Sequence, residues 1–300
     1  MKIRFDQSAP YEVEESDVTF AKHGGHDTLA RVYRPTGTPE VPLAALVDVH
    51  GGAWARGDRT VGVHHGRGLA ACGLVVVSLD FRQGPEHKHP AAAQDVSAGV
   101  RWVRTNAKAL GVDPARIGIL GHSSGGHLAL LVATQPGLEA HAGTPIVLPD
   151  GSLGATAGDD SVAFAIALYP VADPLARYHY ALGRKDDPSF AEGAARLAAS
   201  SLGYFADEAA MAGASVTGVV DGGRARALPP AWIAQPEMDD NVPATITDAL
   251  VRAYEKSGGR IERVRFPGAK HGFIGQAGAD ATKCIADMRD FIGRQLARTP

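Results

Sequence analysis

The chain has 300 residues, 45% hydrophobic and 21% charged, and a formal net charge of −3 from 30 Lys and Arg against 33 Asp and Glu. That length can bury a substantial core, which α/β folds of this size often build as one domain, expected here over residues 1–300. With no basic block and no acidic tail, nucleic acid and anionic membranes are excluded as evident partners, and a small-molecule ligand is expected.

The start, Met1-Lys2-Ile3-Arg4-Phe5-Asp6-Gln7, lacks the apolar core of a signal peptide, and the longest apolar runs, near 43–49 and 162–172, are too short to span a membrane. A soluble, cytoplasmic protein is expected. Cys72 and Cys284 are the only cysteines, too few for a disulfide framework or a cysteine-based zinc site, so buried free thiols are expected.

In chain order, residues 43–49, 74–80, 117–120, 163–169, 231–234 and 261–266 read as strands, most of them apolar on both faces. Continuous apolarity predicts a mostly parallel sheet covered on both sides. Helical spacing separates the strands: Val96, Val100, Val103 and Ala107 after Pro90, then Ile246, Leu250 and Ala253 after Pro243, then Ile285, Met288 and Ile292. The series is βαβ, hence a three-layer α/β/α sandwich. Two stretches interrupt it. Residues 137–161 contain Asp150-Gly151 between apolar neighbours, which predicts a small hairpin excursion. Residues 173–215 are Ala-rich and helical, with Tyr178, Tyr180, Phe190, Tyr204 and Phe205, and read as an ordered lid.

The most informative motif is Gly121-His122-Ser123-Ser124-Gly125-Gly126, between a strand and the helical run 127–133. A serine on so tight a strand-to-helix turn is a nucleophile elbow, which pushes its hydroxyl out above the sheet edge. A phosphate-binding loop is excluded because His127-Leu128 stands where Lys-Ser/Thr is needed, and no G-x-G-x-x-G is present.

A serine hydroxyl is a weak nucleophile until an imidazole takes its proton, and the imidazole needs a carboxylate to fix its tautomer. Both should come from loops after later strands, in the order Ser, Asp/Glu, His. Gln235-Pro236-Glu237-Met238-Asp239-Asp240-Asn241-Val242-Pro243 supplies the acid: Asp239 first, Asp240 as runner-up and Glu237 third, with one of the neighbouring pair expected to cap the next helix. His271, in Pro267-Gly268-Ala269-Lys270-His271-Gly272-Phe273, is the expected general base. Upstream, His50-Gly51-Gly52-Ala53-Trp54 closes the first strand in a glycine turn suited to an oxyanion hole, with donors expected from the N–H groups of Gly52, Ala53 and Ser124. Trp54 and Phe273 are candidate substrate contacts, though aromatics near strand ends commonly pack.

Other polar residues read more plainly. His64-His65 and His87-Lys88-His89 lack metal-site spacing and are expected at the surface, so no metal is expected. Asp95 and Glu86 are expected in an ion pair or helix cap, with Arg82 as partner.

These residues give the chain a clear resemblance. It resembles the hormone-sensitive-lipase-like esterases of the α/β-hydrolase superfamily through His50-Gly51-Gly52-Ala53-Trp54, Asp80-Phe81-Arg82-Gln83-Gly84-Pro85-Glu86 with Pro90-Ala91-Ala92-Ala93-Gln94-Asp95, the elbow at Ser123, Asp239-Asp240-Asn241-Val242-Pro243 and His271-Gly272-Phe273. The resemblance implies a serine carboxylesterase acting on small acyl esters without a cofactor. It also implies a cap built from the N-terminus, about residues 1–28, and the insertion at 173–215. Two positions depart from the group: Ala53 replaces a third glycine, and His122 stands where Asp is commoner before the serine. An amidase or formamidase using the same residues is the alternative, and a noncatalytic receptor on the same scaffold is disfavoured because all three triad positions are filled. The lid implies short to medium acyl chains, and a homodimer through an edge strand or terminal helix is left open.

Overall fold

In a computed structural model of the chain, which describes residues 1–298, eight strands form one sheet. They are β1 (Val13–His23), β2 (His26–Pro35), β3 (Leu43–Val49), β4 (Leu74–Leu79), β5 (Val112–His122), β6 (Ala165–Leu168), β7 (Ala231–Pro236) and β8 (Ile261–Phe266). Their spatial order is β8-β7-β6-β5-β3-β4-β2-β1. Strands β3 to β8 pair in parallel, while β2 runs antiparallel to both β4 and β1.

The continuous apolar runs explain the layering. Every residue of β3 and β4 is buried, and successive side chains leave opposite faces. Ala45, Val47 and Val49 point into a core shared with helices α2 (Ala91–Thr105) and α3 (Ser124–Thr134). Ala44 and Leu46 enter a second core against α1 (Val63–Ala70) and α9 (Ala279–Leu296). Both cysteines, Cys72 and Cys284, lie buried as free thiols in that second core. Among the described residues, no helix is long and apolar enough to cross a membrane.

The N-terminal stretch departs from the expected cap. Residues 13–23 form the edge strand β1, tied to β2 by a two-residue turn in which Gly24 and Gly25 take φ of 54° and 84°. Consecutive positive φ values are what a tight hairpin needs, and they commit this segment to the sheet. The insertion instead forms α4 (Pro174–Gly183), α5 (Ala191–Tyr204) and α6 (Glu208–Gly213), followed by α7 (Val216–Asp221), and it lies over the carboxyl ends of the strands. Asp173, Asp207 and Ser215 cap α4, α6 and α7 with side-chain oxygens. The excursion at 137–161 closes in a small bridge between Val147 and Leu153 around Asp150-Gly151.

Asp95 and Arg82 meet as an ion pair. Asp95 is fully buried and accepts from the Arg82 backbone N–H at 2.7 Å, from its Nη2 at 2.8 Å and from Thr144 Oγ1 at 2.7 Å. The pair joins the loop after β4 to helix α2 and to the 137–161 excursion. Removing one member strands a buried charge. Asp95→Ala should therefore lower unfolding free energy by about 3 kcal/mol, read as a fall in the urea midpoint; an unchanged midpoint would show that the pair holds nothing together.

Candidate active site

The carboxyl ends of β3, β5, β6, β7 and β8 converge on one rim, the usual location of function in open α/β sheets. Ser123 begins the turn after β5 with φ 55° and ψ −121°, a strained backbone for a residue with a side chain. Glycine is required on both flanks: a Cβ on Gly121 would lie 2.3 Å from the Gly125 oxygen, and one on Gly125 would lie 2.1 Å from the Val49 oxygen.

The serine, histidine and acid are in line. Ser123 Oγ lies 2.9 Å from His271 Nε2, and His271 Nδ1 lies 2.8 Å from Asp239 Oδ2. With Asp239 accepting from Nδ1–H, the Nε2 lone pair faces the serine hydroxyl. The other Asp239 oxygen accepts from the backbone N–H groups of Asn241 at 2.8 Å and Val242 at 2.9 Å. One carboxylate thus both orients the imidazole and closes its own loop. Asp240 points outward with its side chain 75% exposed beside Arg184, and Glu237 pairs with Arg265. Neither reaches His271, and helix α8 (Ala244–Lys256) begins after Pro243 with no side-chain cap.

Gly52, Ala53 and Ser123 line a cavity of about 320 Å³. Gly52 and Ala53 have positive φ, 124° and 54°, and their N–H groups make no hydrogen bond among the described residues. Ser124 opens α3, so its N–H has no partner one helical turn back. Two contacts stitch this turn to the elbow: Gly51 N–H donates to His122 Nε2 at 2.8 Å, and Trp54 N–H donates to Ser124 Oγ at 3.1 Å.

Neither aromatic expected at the substrate lies on the cavity. Trp54 is fully buried, stacks on Tyr204 with ring centroids 5.6 Å apart, and donates from Nε1 to His127 Nδ1 at 3.2 Å. Its position after the glycine turn sends it beneath the rim, where the insertion packs. Phe273 lies against Tyr169 and Phe266. The cavity is lined instead by Tyr169, Leu197, Asn241 and three arginines, Arg56, Arg177 and Arg196. No sequence motif marked the arginines, which belong to the loop after the glycine turn and to the insertion.

His65 is buried, contrary to the surface position expected. Its Nε2 lies 3.2 Å from both Asp48 oxygens, and Asp48 also accepts from Ser78 Oγ at 2.7 Å. Asp48, His65 and His122 are metal-ligand types with ligand atoms within 4.8 Å. Because His122 Nε2 accepts from Gly51, its Nδ1 carries the hydrogen and offers no lone pair, and that N–H has no partner among the described residues. The cluster braces the elbow from below.

The family model for the α/β hydrolase fold matches residues 46–275, and the chain belongs to that family, in its hormone-sensitive-lipase-like branch. Carboxylesterase NlhH of Mycobacterium tuberculosis is 37% identical over 126 residues, covering 41% of this chain and 38% of the relative. The chain thus spans well under half the length of the first curated relatives it matches, 33% and 38%. A thermostable carboxylesterase cloned from a metagenomic library superposes with a TM-score of 0.73 at 27% identity over 95% of this chain and 90% of that one. A propionate-bound thermophilic esterase from Thermogutta terrifontis gives 0.69 at 26% identity over 96% and 94%.

Burial also fixes the charge state of histidines around the site. His122 and His127 are pushed down to about 3, and His89 to about 4, in each case chiefly by burial. His127 donates from Nε2 to the Ala214 oxygen at 2.8 Å while Nδ1 accepts from Trp54, so a second proton would break the Trp54 bond. A histidine whose folded pKa lies below its unfolded value near 6.5 contributes stability above pH 6.5 that is lost as pH falls toward the folded pKa. The urea midpoint should fall between pH 7 and pH 5, and His127→Gln should flatten that slope; parallel slopes would show that His127 takes up no proton on unfolding.

Proposed function

We propose that the chain is a serine carboxylesterase acting on short- to medium-chain acyl esters through a covalent acyl-enzyme. Ser123 Oγ attacks the ester carbonyl as its proton passes to His271 Nε2, with Asp239 stabilising the resulting imidazolium. The N–H groups of Gly52, Ala53 and Ser124 hold the oxyanion. Collapse of the tetrahedral intermediate releases the alcohol, which takes the proton from His271. Water, deprotonated by the same imidazole, then attacks the acyl-enzyme, and the carboxylic acid leaves with Ser123 restored.

The observation that carries this reading is the unbroken line from Asp239 through His271 to Ser123, at 2.8 and 2.9 Å, beside a turn whose N–H groups at Gly52 and Ala53 are unpartnered among the described residues. The esterases among its relatives support the reaction type, and the propionate held by one of them supports a small acyl group. A cavity of about 320 Å³ under a helical insertion favours the same size range.

Ser123→Ala should cut kcat for p-nitrophenyl butyrate by about 10⁴-fold or more, and Asp239→Asn by about 10³–10⁴-fold, since Asn cannot impose the productive tautomer. A fluorophosphonate should label the parent enzyme at Ser123. Full turnover by Ser123→Ala would refute the assignment. Across p-nitrophenyl esters, kcat/KM should peak at acetate to butyrate and fall at laurate. A matched anilide should be turned over more slowly than the ester; the reverse order would make the enzyme an amidase.

A further inference from the structure

The cavity holding Ser123 is lined by three arginines, Arg56, Arg177 and Arg196, and by no aspartate or glutamate. Arg177 is the most telling, at 1% exposure. Its Nη2 donates to Ser201 Oγ at 2.9 Å, its Nε has no partner among the described residues, and its Cζ lies 5.0 Å from the centre of the Trp54 ring. An aromatic face and one hydroxyl do not neutralise a buried cation, and burial without a counter-ion is costly. Arg56 and Arg196 face the same space and form no ion pair among the described residues. Outside the cavity, Arg82 pairs with Asp95 and Arg31 with Asp17, whereas the buried Arg101 is held by the carbonyl oxygens of Ala155 and Thr144 at 3.0 Å each.

Building on the carboxylesterase reading, we infer that the substrate is itself an anion: an ester bearing a free carboxylate a few carbons from the scissile carbonyl, recognised by Arg177 together with Arg196 and Arg56. A guanidinium presents a planar fork of donors that matches a carboxylate in two parallel hydrogen bonds. The pocket supplies such forks beside the nucleophile. Burial, reinforced by repulsion from Arg196 and opposed by Asp239, lowers Arg177 only to about 10, so it remains a cation at neutral pH. Leu197, Val61 and Tyr169 provide apolar surface in the same cavity for the connecting carbons.

The test compares monoethyl glutarate with ethyl glutaramate, in which an amide replaces the free carboxylate, following acid release at constant pH. The anionic ester should have the higher kcat/KM by about tenfold or more, the scale of one charge-assisted hydrogen bond. 4-Acetoxybutyrate, which carries its carboxylate on the alcohol side, distinguishes which arm of the ester meets the arginines. Arg196→Ala, at an exposed position where folding is not at issue, and Arg177→Gln should each reduce the acid-to-amide preference, and Arg177→Lys should restore part of it. Equal rates for acid and amide in the parent enzyme, or a preference unmoved in both neutral variants, would overturn the inference. Calorimetry of glutarate with the Ser123→Ala enzyme separates the two readings. Turnover of p-nitrophenyl butyrate without glutarate binding or acid preference sinks the anion pocket alone. Glutarate binding that Arg196→Ala abolishes, in an enzyme that turns over no ester, leaves the pocket standing and sinks the esterase.

Discussion

The site depends on how closely two turns approach: the one after β3 and the one after β5. A Cβ on Gly125 would lie 2.1 Å from the Val49 oxygen and 2.3 Å from the His50 oxygen, so the elbow helix and the glycine turn touch backbone to backbone. That contact places the N–H groups of Gly52 and Ala53 beside Ser123. It is secured by two hydrogen bonds across the gap, Gly51 to His122 and Trp54 to Ser124. Ser123 with φ 55° and Ala53 with φ 54° both sit where a side chain is disfavoured by roughly 1–2 kcal/mol. Strain of that kind persists only when the surroundings over-determine it.

The surroundings do so through polar groups with two duties each. Asp239 uses one oxygen for His271 and the other for the turn leading to α8. His122 accepts from the glycine turn with one nitrogen, which fixes the other as N–H. His127 takes the Trp54 indole N–H and gives its own to Ala214, linking the glycine turn, the elbow helix and the insertion in one chain of hydrogen bonds. The insertion is therefore not a loose cover: Tyr204 and Phe205 pack on Trp54, so its helices are registered against the same residues that define the glycine turn. Each of these bonds is individually modest, and their value lies in fixing geometry at a rim where loops would otherwise move.

The framework was legible because its signals are local. Mostly apolar runs of six or seven residues announced β3, β4 and β6, and the glycines around Ser123 and the turn at 50–54 announced backbone that only short side chains allow. Chain order then picked out Asp239 and His271, and the structure brings both to Ser123. The edge hairpin β1–β2 was missed because it alternates charged and apolar residues, Glu14, Glu15 and Asp17 among Val13, Val18 and Phe20, and has no apolar run to find. Its turn signal, Gly24-Gly25, lay in plain view between two histidines.

What sequence could not reveal is the lining of the cavity, and the reason is geometric. Arg56 stands seven residues before the first helix of the fold, while Arg177 and Arg196 lie on different helices of the insertion. None carries a spacing relation to Ser123, and an arginine in an Ala-rich helix reads as a solvated face. Trp54 failed for the converse reason. Adjacent to the glycine turn in sequence, it leaves that turn with φ 58° and runs down into the core, so proximity along the chain became distance from the cavity. It still shapes the pocket from beneath, because the ring that withdraws from the cavity is the one on which the Arg177 guanidinium rests. The aromatic sought as a substrate contact thus supports a cation that the sequence did not mark, and the polarity of the cavity follows from that exchange.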